Sequence, residues 1–505
     1  MNHPLPPPSR GWLFAAVWIA LAAAHVAPLL EVRYLPLCDL PEHLAQAAIR
    51  LRYQDPLMGF SEHYEVLGGL RPYDLHPALC QLALRVLDVR WAARALSALA
   101  VLAVPLALLR LVRSSGRDPW FALLGFPLSY SGAFFWGFHA WLLGVSLLLF
   151  SLESLIRPPG RPAVRRLVWL GWSALILLAH PLSWALFVLA ALVVAGLGAR
   201  RDLPQRLLPL LPSSILFALW ARESFFGGSP IYGNWWREGI GAWYGDGGAL
   251  PARALASLTN VYVGPWDEAV LFGGTLLLVF TRLRGGTGER NRATRPGGRG
   301  LPALALLCLL LWAFLPTGVR GFFAINDRFL LPAALLAIAT VPRLHRAAAR
   351  PVRTGLVVVA ASSAAVHLAG FRALGQENPG LESVAAAVPV GARVVDLILE
   401  PRSAHLLHPH PYAHYGAYVQ AERGGLRVDT FRTIGIAYRP GTPGDRAPPA
   451  SRLAPERHDP LRDFPGFEWF LLLDPERRSP LHRNPQRVEC RAAEGAWSLY
   501  RRRPP

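Results

Sequence analysis

Long apolar stretches separated by arginine-bearing gaps set the terms for anything this chain can fold into. Hydrophobic residues make up 52% of its 505 positions, and they fall in blocks too long and too numerous to be the core of a soluble domain. A block of about 20 residues suits the ~30 Å hydrocarbon layer of a bilayer. Inside lipid such a block must satisfy its own backbone, so it forms a helix. Weighing the blocks against flanking charge places spans near 11–31, 91–113, 119–134, 137–157, 166–180, 182–199, 204–222, 266–283, 301–317, 327–341 and 355–371. The connections carrying Arg110, Arg113 and Arg117, then Arg157 to Arg166, Arg200 to Arg206, Arg282 to Arg299 and Arg343 to Arg353 alternate with connections of mixed sign. By the positive-inside rule the arginine-rich set is cytoplasmic, with the N-terminus inside and the C-terminus outside. The stretch Gly11 to Leu30 reads as an uncleaved anchor, since further spans follow it. Asp74 to Leu87 is apolar but ends in Arg85 and Asp88, and it reads as a helix lying on the outer surface. One outer loop then covers about 32–90 and another about 223–265.

From about residue 372 the composition becomes that of a soluble domain. A helix is predicted over Asn378 to Val388 and strands over Ala392 to Leu399, Leu426 to Phe431, Phe467 to Leu473 and Trp497 to Tyr500, which makes a small α/β domain. The expected architecture is a polytopic α-helical membrane protein of about 11 spans, with a transmembrane part at 1–371 and an extracytoplasmic α/β domain at 372–505. The net charge of +19 comes entirely from arginine, a bias in keeping with GC-rich codons, and no nucleic-acid partner is read from it. Cys38, Cys80, Cys308 and Cys490 lack the close spacing of a zinc site or redox pair. Cys38 and Cys80 could meet as one bridge outside the membrane, but isolated buried thiols are the favoured reading.

Chemistry-bearing residues gather in the predicted outer loops. Cys38-Asp39-Leu40-Pro41-Glu42-His43-Leu44 opens a helix running to about Arg52, with Asp39 and His43 four apart on one face. Asp39 is also a natural helix cap, with Glu42 closing a capping box, and the segment alone leaves capping and catalysis evenly weighed. His76 before Pro77, His139 at the start of the fourth span, His180-Pro181, and Arg320, Asp327 and Arg328 lie where spans meet the same side. Each has a bland role open to it, such as a turn or snorkelling, but as a set sharing one side they point to a site. Tyr232, Trp235 and Trp236 stand in the second outer loop, where interfacial anchoring is weighed above sugar stacking. His405, His408, His410 and His414 crowd together in the outer domain. Prolines break their register and no cysteine stands near them, so surface loop or acceptor recognition is preferred to metal binding.

This layout resembles the GT-C class of membrane glycosyltransferases, in particular a bacterial branch of uncertain substrate. The resemblance rests on Asp39-Leu-Pro-Glu-His43-Leu, His76-Pro77, Trp91-Ala-Ala-Arg94-Ala-Leu-Ser97, Trp136-Gly-Phe-His139, Leu178-Ala-His180-Pro181 and Asp327-Arg328-Phe-Leu. It covers the spans and the outer domain, through motifs that are each short. It implies transfer of a sugar from a polyprenyl-phosphate donor to an envelope glycan, lipid or protein on the outer face of the bacterial cytoplasmic membrane, with inversion. Asp39 and His43 are then the catalytic residues, Arg328, Arg320 and His180 hold the donor phosphate, and His76, His139, Tyr232, Trp235 and Trp236 bind substrate. Many members carry paired acids in the first loop and another acid in the next outer loop. Here Cys38 precedes Asp39, and Ser131 to His139 has no carboxylate, so no metal ligand is assigned and a divalent cation stays an open question. The competing readings are a transporter or lipid flippase, which should show repeated halves that are not seen here, and a non-catalytic envelope scaffold.

Overall fold

The computed structural model describes residues 11–156, 160–196, 207–226, 242–243, 250–259, 261–284, 300–319, 324–344, 346–428, 435–447 and 455–504. Helical segments stand at each of the eleven expected places. Five of them, Gly11–Leu30, Val89–Ser114, His139–Ile156, Pro162–Ala179 and Ala348–Glu377, are long and apolar enough to cross a membrane by themselves. Pro119–Ser129, Pro181–Val193 and Gly300–Phe314 are shorter apolar helices.

The stretch expected as a span at 119–134 is broken into a 3-10 turn, Pro119–Leu124, and short helices at Gly125–Ser129 and Gly132–Phe135. Pro119 and Pro127 deny it backbone donors. Gly125 also lies so close to the Val89–Ser114 helix that a Cβ there would come 2.6 Å from the Pro105 Cα. The segment expected to lie on the outer surface forms a 12-residue helix, Leu75–Val86. At 1.5 Å per residue it reaches about 18 Å, too short for the hydrocarbon layer. It turns His76, Pro77, Cys80 and Leu84 inward and leaves Leu82 and Val86 exposed.

Among the described residues the strands are β1 (Tyr64–Val66), β2 (Ala242–Trp243), β3 (Gly318–Val319), β4 (Arg393–Ile398), β5 (Leu426–Arg427), β6 (Ile436–Tyr438), β7 (Trp469–Leu473), β8 (Val488–Glu494) and β9 (Trp497–Arg502). The C-terminal domain centres on a five-stranded sheet in the order β5-β4-β7-β9-β8. β4 runs parallel to β5 and β7, while β9 is antiparallel to β7 and β8. Every residue of β7 is buried, as its unbroken apolar run requires of a central strand. Strand β8 was not read from the sequence: Val488, Cys490 and Ala492 do alternate with Glu489 and Arg491, but the strand is short of large apolar residues and only Val488 is buried.

The first outer loop does not lie apart from this domain. β1, from the loop, pairs antiparallel with β6, from the domain, with Tyr64 opposite Tyr438. Ile49, Phe60 and Tyr64 share one core with Val395, Leu397, Phe470 and Leu472. The second outer loop is tied in as well: the Val263 amide donates to the His405 carbonyl at 3.0 Å and the Leu407 amide to the Val261 carbonyl at 2.8 Å.

Candidate active site

Asp39 stands where the chain turns into the helix Leu40–Leu51, and its place is fixed by backbone contacts. The Cys38 amide donates to the Phe135 carbonyl at 3.1 Å and the Asp39 amide to the Trp136 carbonyl at 3.0 Å. Gly137, with φ of +76°, makes this approach feasible, since a Cβ there would lie 2.6 Å from the Leu40 nitrogen. The Trp136-Gly-Phe-His139 segment thus acts as a backbone clamp on the start of the first outer helix.

The capping alternative for Asp39 does not hold, for its side chain makes no cap hydrogen bond. One carboxylate oxygen lies 3.6 Å from His414 Nε2, and the side chain keeps 20% of its exposure. Nor does Glu42 close a capping box. Its buried carboxylate stands 3.2 Å from His414 Nδ1 and is ion-paired with Arg427, which reaches Asp396 at 2.9 Å. Burial alone would lower the Arg427 pKa, but Asp396 and Glu42 outweigh it and hold the guanidinium firmly charged. Arg427 is also fixed from outside the pair, because Tyr438 Oη donates to its carbonyl at 2.6 Å.

Next to Asp39 three imidazoles form a chain, with ring centroids 4.9 Å apart for His43 and His76 and 6.1 Å apart for His76 and His139. Burial pushes the His43 pKa down to about 4, helped by His139, and burial pushes His76 well below its ordinary value. These two rings are therefore neutral near pH 7. His139 Nδ1 lies 3.1 Å from the Gly137 carbonyl and donates to it, which leaves Nε2, at 3.0 Å, to accept from the Ser97 hydroxyl.

Tyr73 bridges the two halves of the site, its ring centroid 6.0 Å from His43 and 5.3 Å from His180. Its φ of +84° is a conformation that side chains rarely adopt and that clusters at functional sites. His180 comes close because Gly144 has no side chain: a Cβ there would fall 3.0 Å from the His180 Cβ. Arg328 completes the set, with Nη1 3.4 Å from His180 Nε2 and its guanidinium over the Phe138 ring at 4.2 Å. Asp327, its neighbour, faces Ser257 at 3.0 Å.

The fold therefore gathers Asp39, His43, His76, His139, His180 and Arg328 into one continuous cluster. Arg320, Tyr232, Trp235 and Trp236 lie outside the described residues. Sequence reasoning missed Tyr73, Glu42 as a buried ion-pair partner, and the pair Asp396 and Arg427. Asp396 carried a signal, a single acid inside the otherwise apolar run Val394 to Ile398. The grouping of the four outer histidines also needs correction. His405 and His408 belong to the loop contacts, His408 lying edge-on to Trp136 at 4.3 Å, while His414 alone turns toward Asp39 and Cys38. The four cysteines form no disulfide, so Cys38 and Cys80 are separate buried thiols.

No protein-family model matches the sequence, and no curated protein matches it. Among solved structures the chain is similar to ArnT from Cupriavidus metallidurans in the apo state, with a TM-score of 0.58 and 13% identity over 97% of this chain and 98% of that one. The same protein bound to undecaprenyl phosphate superposes with a TM-score of 0.51 and 14% identity over the same shares. At such identities the likeness speaks for the fold alone, and the fold of this chain is the one seen in ArnT.

Proposed function

We propose that the chain is a glycosyltransferase that moves a sugar from a polyprenyl-phosphate donor to an envelope acceptor at the outer face of the membrane. The observation that carries this reading is the run of contacts from His43, one helical turn beyond the partly exposed carboxylate of Asp39, through Tyr73 and His180 to the half-buried guanidinium of Arg328. Asp39 takes the proton of the acceptor hydroxyl as its oxygen attacks the anomeric carbon. The bond from that carbon to the phosphate oxygen breaks, and the polyprenyl phosphate leaves with the electron pair. Arg328, whose fork of donors suits phosphate, and His180 meet the charge that accumulates there. Attack opposite the departing phosphate inverts the anomeric centre. His43, His76 and His139, held as a neutral chain, line the acceptor side.

The orientation belongs to the same proposal. Arg343 donates to the Gly116 carbonyl at 2.7 Å, Arg353 pairs with Asp118 at 2.6 Å and Arg282 reaches Thr340 at 2.9 Å. These arginines collect at the end of the Val89–Ser114 helix opposite the site, which supports a cytoplasmic face there. The ArnT structure with undecaprenyl phosphate supports a polyprenyl lipid as the donor's carrier.

The test is transfer from a radiolabelled polyprenyl-phosphate sugar by the purified protein. Asp39→Asn is expected to lower the rate by about 10²–10⁴-fold, the usual span for a lost general base, with the folded yield unchanged. A rate equal to that of the parent protein would remove Asp39 from the reaction.

A further inference from the structure

We propose that a groove between the Val89–Ser114 and His139–Ile156 helices, at the end of this pair opposite the Asp39 cluster, binds one anionic phospholipid. The groove is a cavity of about 430 Å³. Leu106, Leu109, Arg110 and Arg113 of the first helix form one wall, and Phe150 and Glu153 of the second form the other. Positions 106, 109, 110 and 113 lie three, four and seven apart, so they share one helix face. Both helices are long and apolar enough to cross a membrane, and Leu106 and Arg110 are exposed, so the groove opens toward lipid.

The lining changes character along the helix axis. Leu106, Leu109 and Phe150 make one end apolar, and Arg110 and Arg113 make the other end basic. Leu106 to Arg113 spans about 10 Å, comparable to the thickness of one headgroup layer, so acyl chain and phosphate can be met together. Charge selects the occupant. Arg110 Nε donates to Glu153 at 2.5 Å, which makes a neutral pair. Arg113 lies over the Phe14 ring at 5.6 Å, and among the described residues no carboxylate pairs with it. The groove thus carries one net positive charge. A phosphodiester with an uncharged headgroup, as in phosphatidylglycerol, balances that charge, whereas the ammonium of phosphatidylethanolamine would restore it. The Ser114 hydroxyl is already spent on the Leu111 carbonyl at 2.9 Å, which leaves the phosphate to the guanidinium forks. At their other end the same two helices carry the hydrogen bond between Ser97 and His139, so a lipid seated here braces the pair that presents that contact. The lipid would bind whether or not a sugar is moved, so this inference stands apart from the transferase reading.

The test is native mass spectrometry of the full chain in detergent, delipidated and then mixed with phosphatidylglycerol or phosphatidylethanolamine of matched acyl chains. One phosphatidylglycerol per chain is expected. Phosphatidylethanolamine should be held about fivefold more weakly, the usual weight of one charge near an anionic lipid surface. Arg113→Gln leaves the pair of Arg110 with Glu153 intact and should weaken phosphatidylglycerol by about the same factor. Arg166→Gln removes an exposed arginine of the neighbouring Pro162–Ala179 helix and should change nothing. If Arg113→Gln does not fold, the comparison of the two lipids on the parent protein carries the test. Equal retention of both lipids by the parent protein overturns the site, and so does equal retention of phosphatidylglycerol by Arg113→Gln. An equal loss in Arg166→Gln also overturns it, since the arginines would then act only as diffuse surface charge.

Discussion

Among the described residues, buried histidine and tyrosine gather between the helices and again where the C-terminal domain meets the segment after the first helix. Between the helices, Tyr130 stacks on His367 at 4.0 Å and donates to the His25 carbonyl, while Tyr262 Oη lies 3.2 Å from His367 Nδ1. Gly370 admits the Tyr262 ring, which would fall 2.2 Å from a Cβ at that position. These partners are rings, hydroxyls and backbone carbonyls. At the domain junction, by contrast, His414 faces two carboxylates, and Arg427 is buried between Glu42 and Asp396. Burial of histidine therefore does not by itself mark chemistry. What separates the clusters is ionic pairing and one acid, Asp39, that keeps a fifth of its surface open while Glu42 keeps none.

The sharpest way to break this contrast is Arg427→Met. It leaves Glu42 and Asp396 buried without their cation and should cost about 3–5 kcal/mol of stability, read as a fall in thermal midpoint. Adding Glu42→Gln and Asp396→Asn to that variant should recover much of the loss, because no uncompensated charge then remains. A midpoint unmoved by Arg427→Met would mean that the ion pairs are incidental. Next in size is Gly137→Ala, which forces a Cβ against the Leu40 backbone and shifts Asp39. Misplacement by about 1 Å should lower transfer by about 10²-fold, more than the change in stability accounts for. Equal losses in both measurements would make Gly137 a packing residue only. The smallest effect belongs to Tyr262→Phe, which removes one neutral hydrogen bond worth about 0.5–1.5 kcal/mol. Transfer should stay at the parent rate, and a tenfold drop would erase the distinction between the clusters.

The sequence made some of this visible and hid the rest for identifiable reasons. The helical segments, the helix after Asp39 and strands β4, β7 and β9 follow from local patterning, which short-range periodicity reports well. Asp39, His180 and Arg328 could be grouped because each lies at the end of an apolar block, and block ends share a side. The pairing of β1 with β6 was hidden because three-residue strands have no periodicity to read. The nearness of His414 to Cys38 was hidden because the two lie at opposite ends of the chain. The break at 119–134 does not show in hydropathy: Pro119 and Pro127 could have signalled it, while the approach of Gly125 to Pro105 is a tertiary contact that no local pattern reports.

The joining of β1 to β6 also orders events during synthesis. The segment bearing Asp39 and Glu42 emerges early, yet the groups that neutralise and orient it, Arg427 and His414, are translated only after the last helix has been inserted. Until the C-terminal domain is made, Glu42 lacks Arg427, so the cluster cannot be assembled on a partly synthesised chain. Maturation of the cluster is thereby coupled to synthesis of that domain.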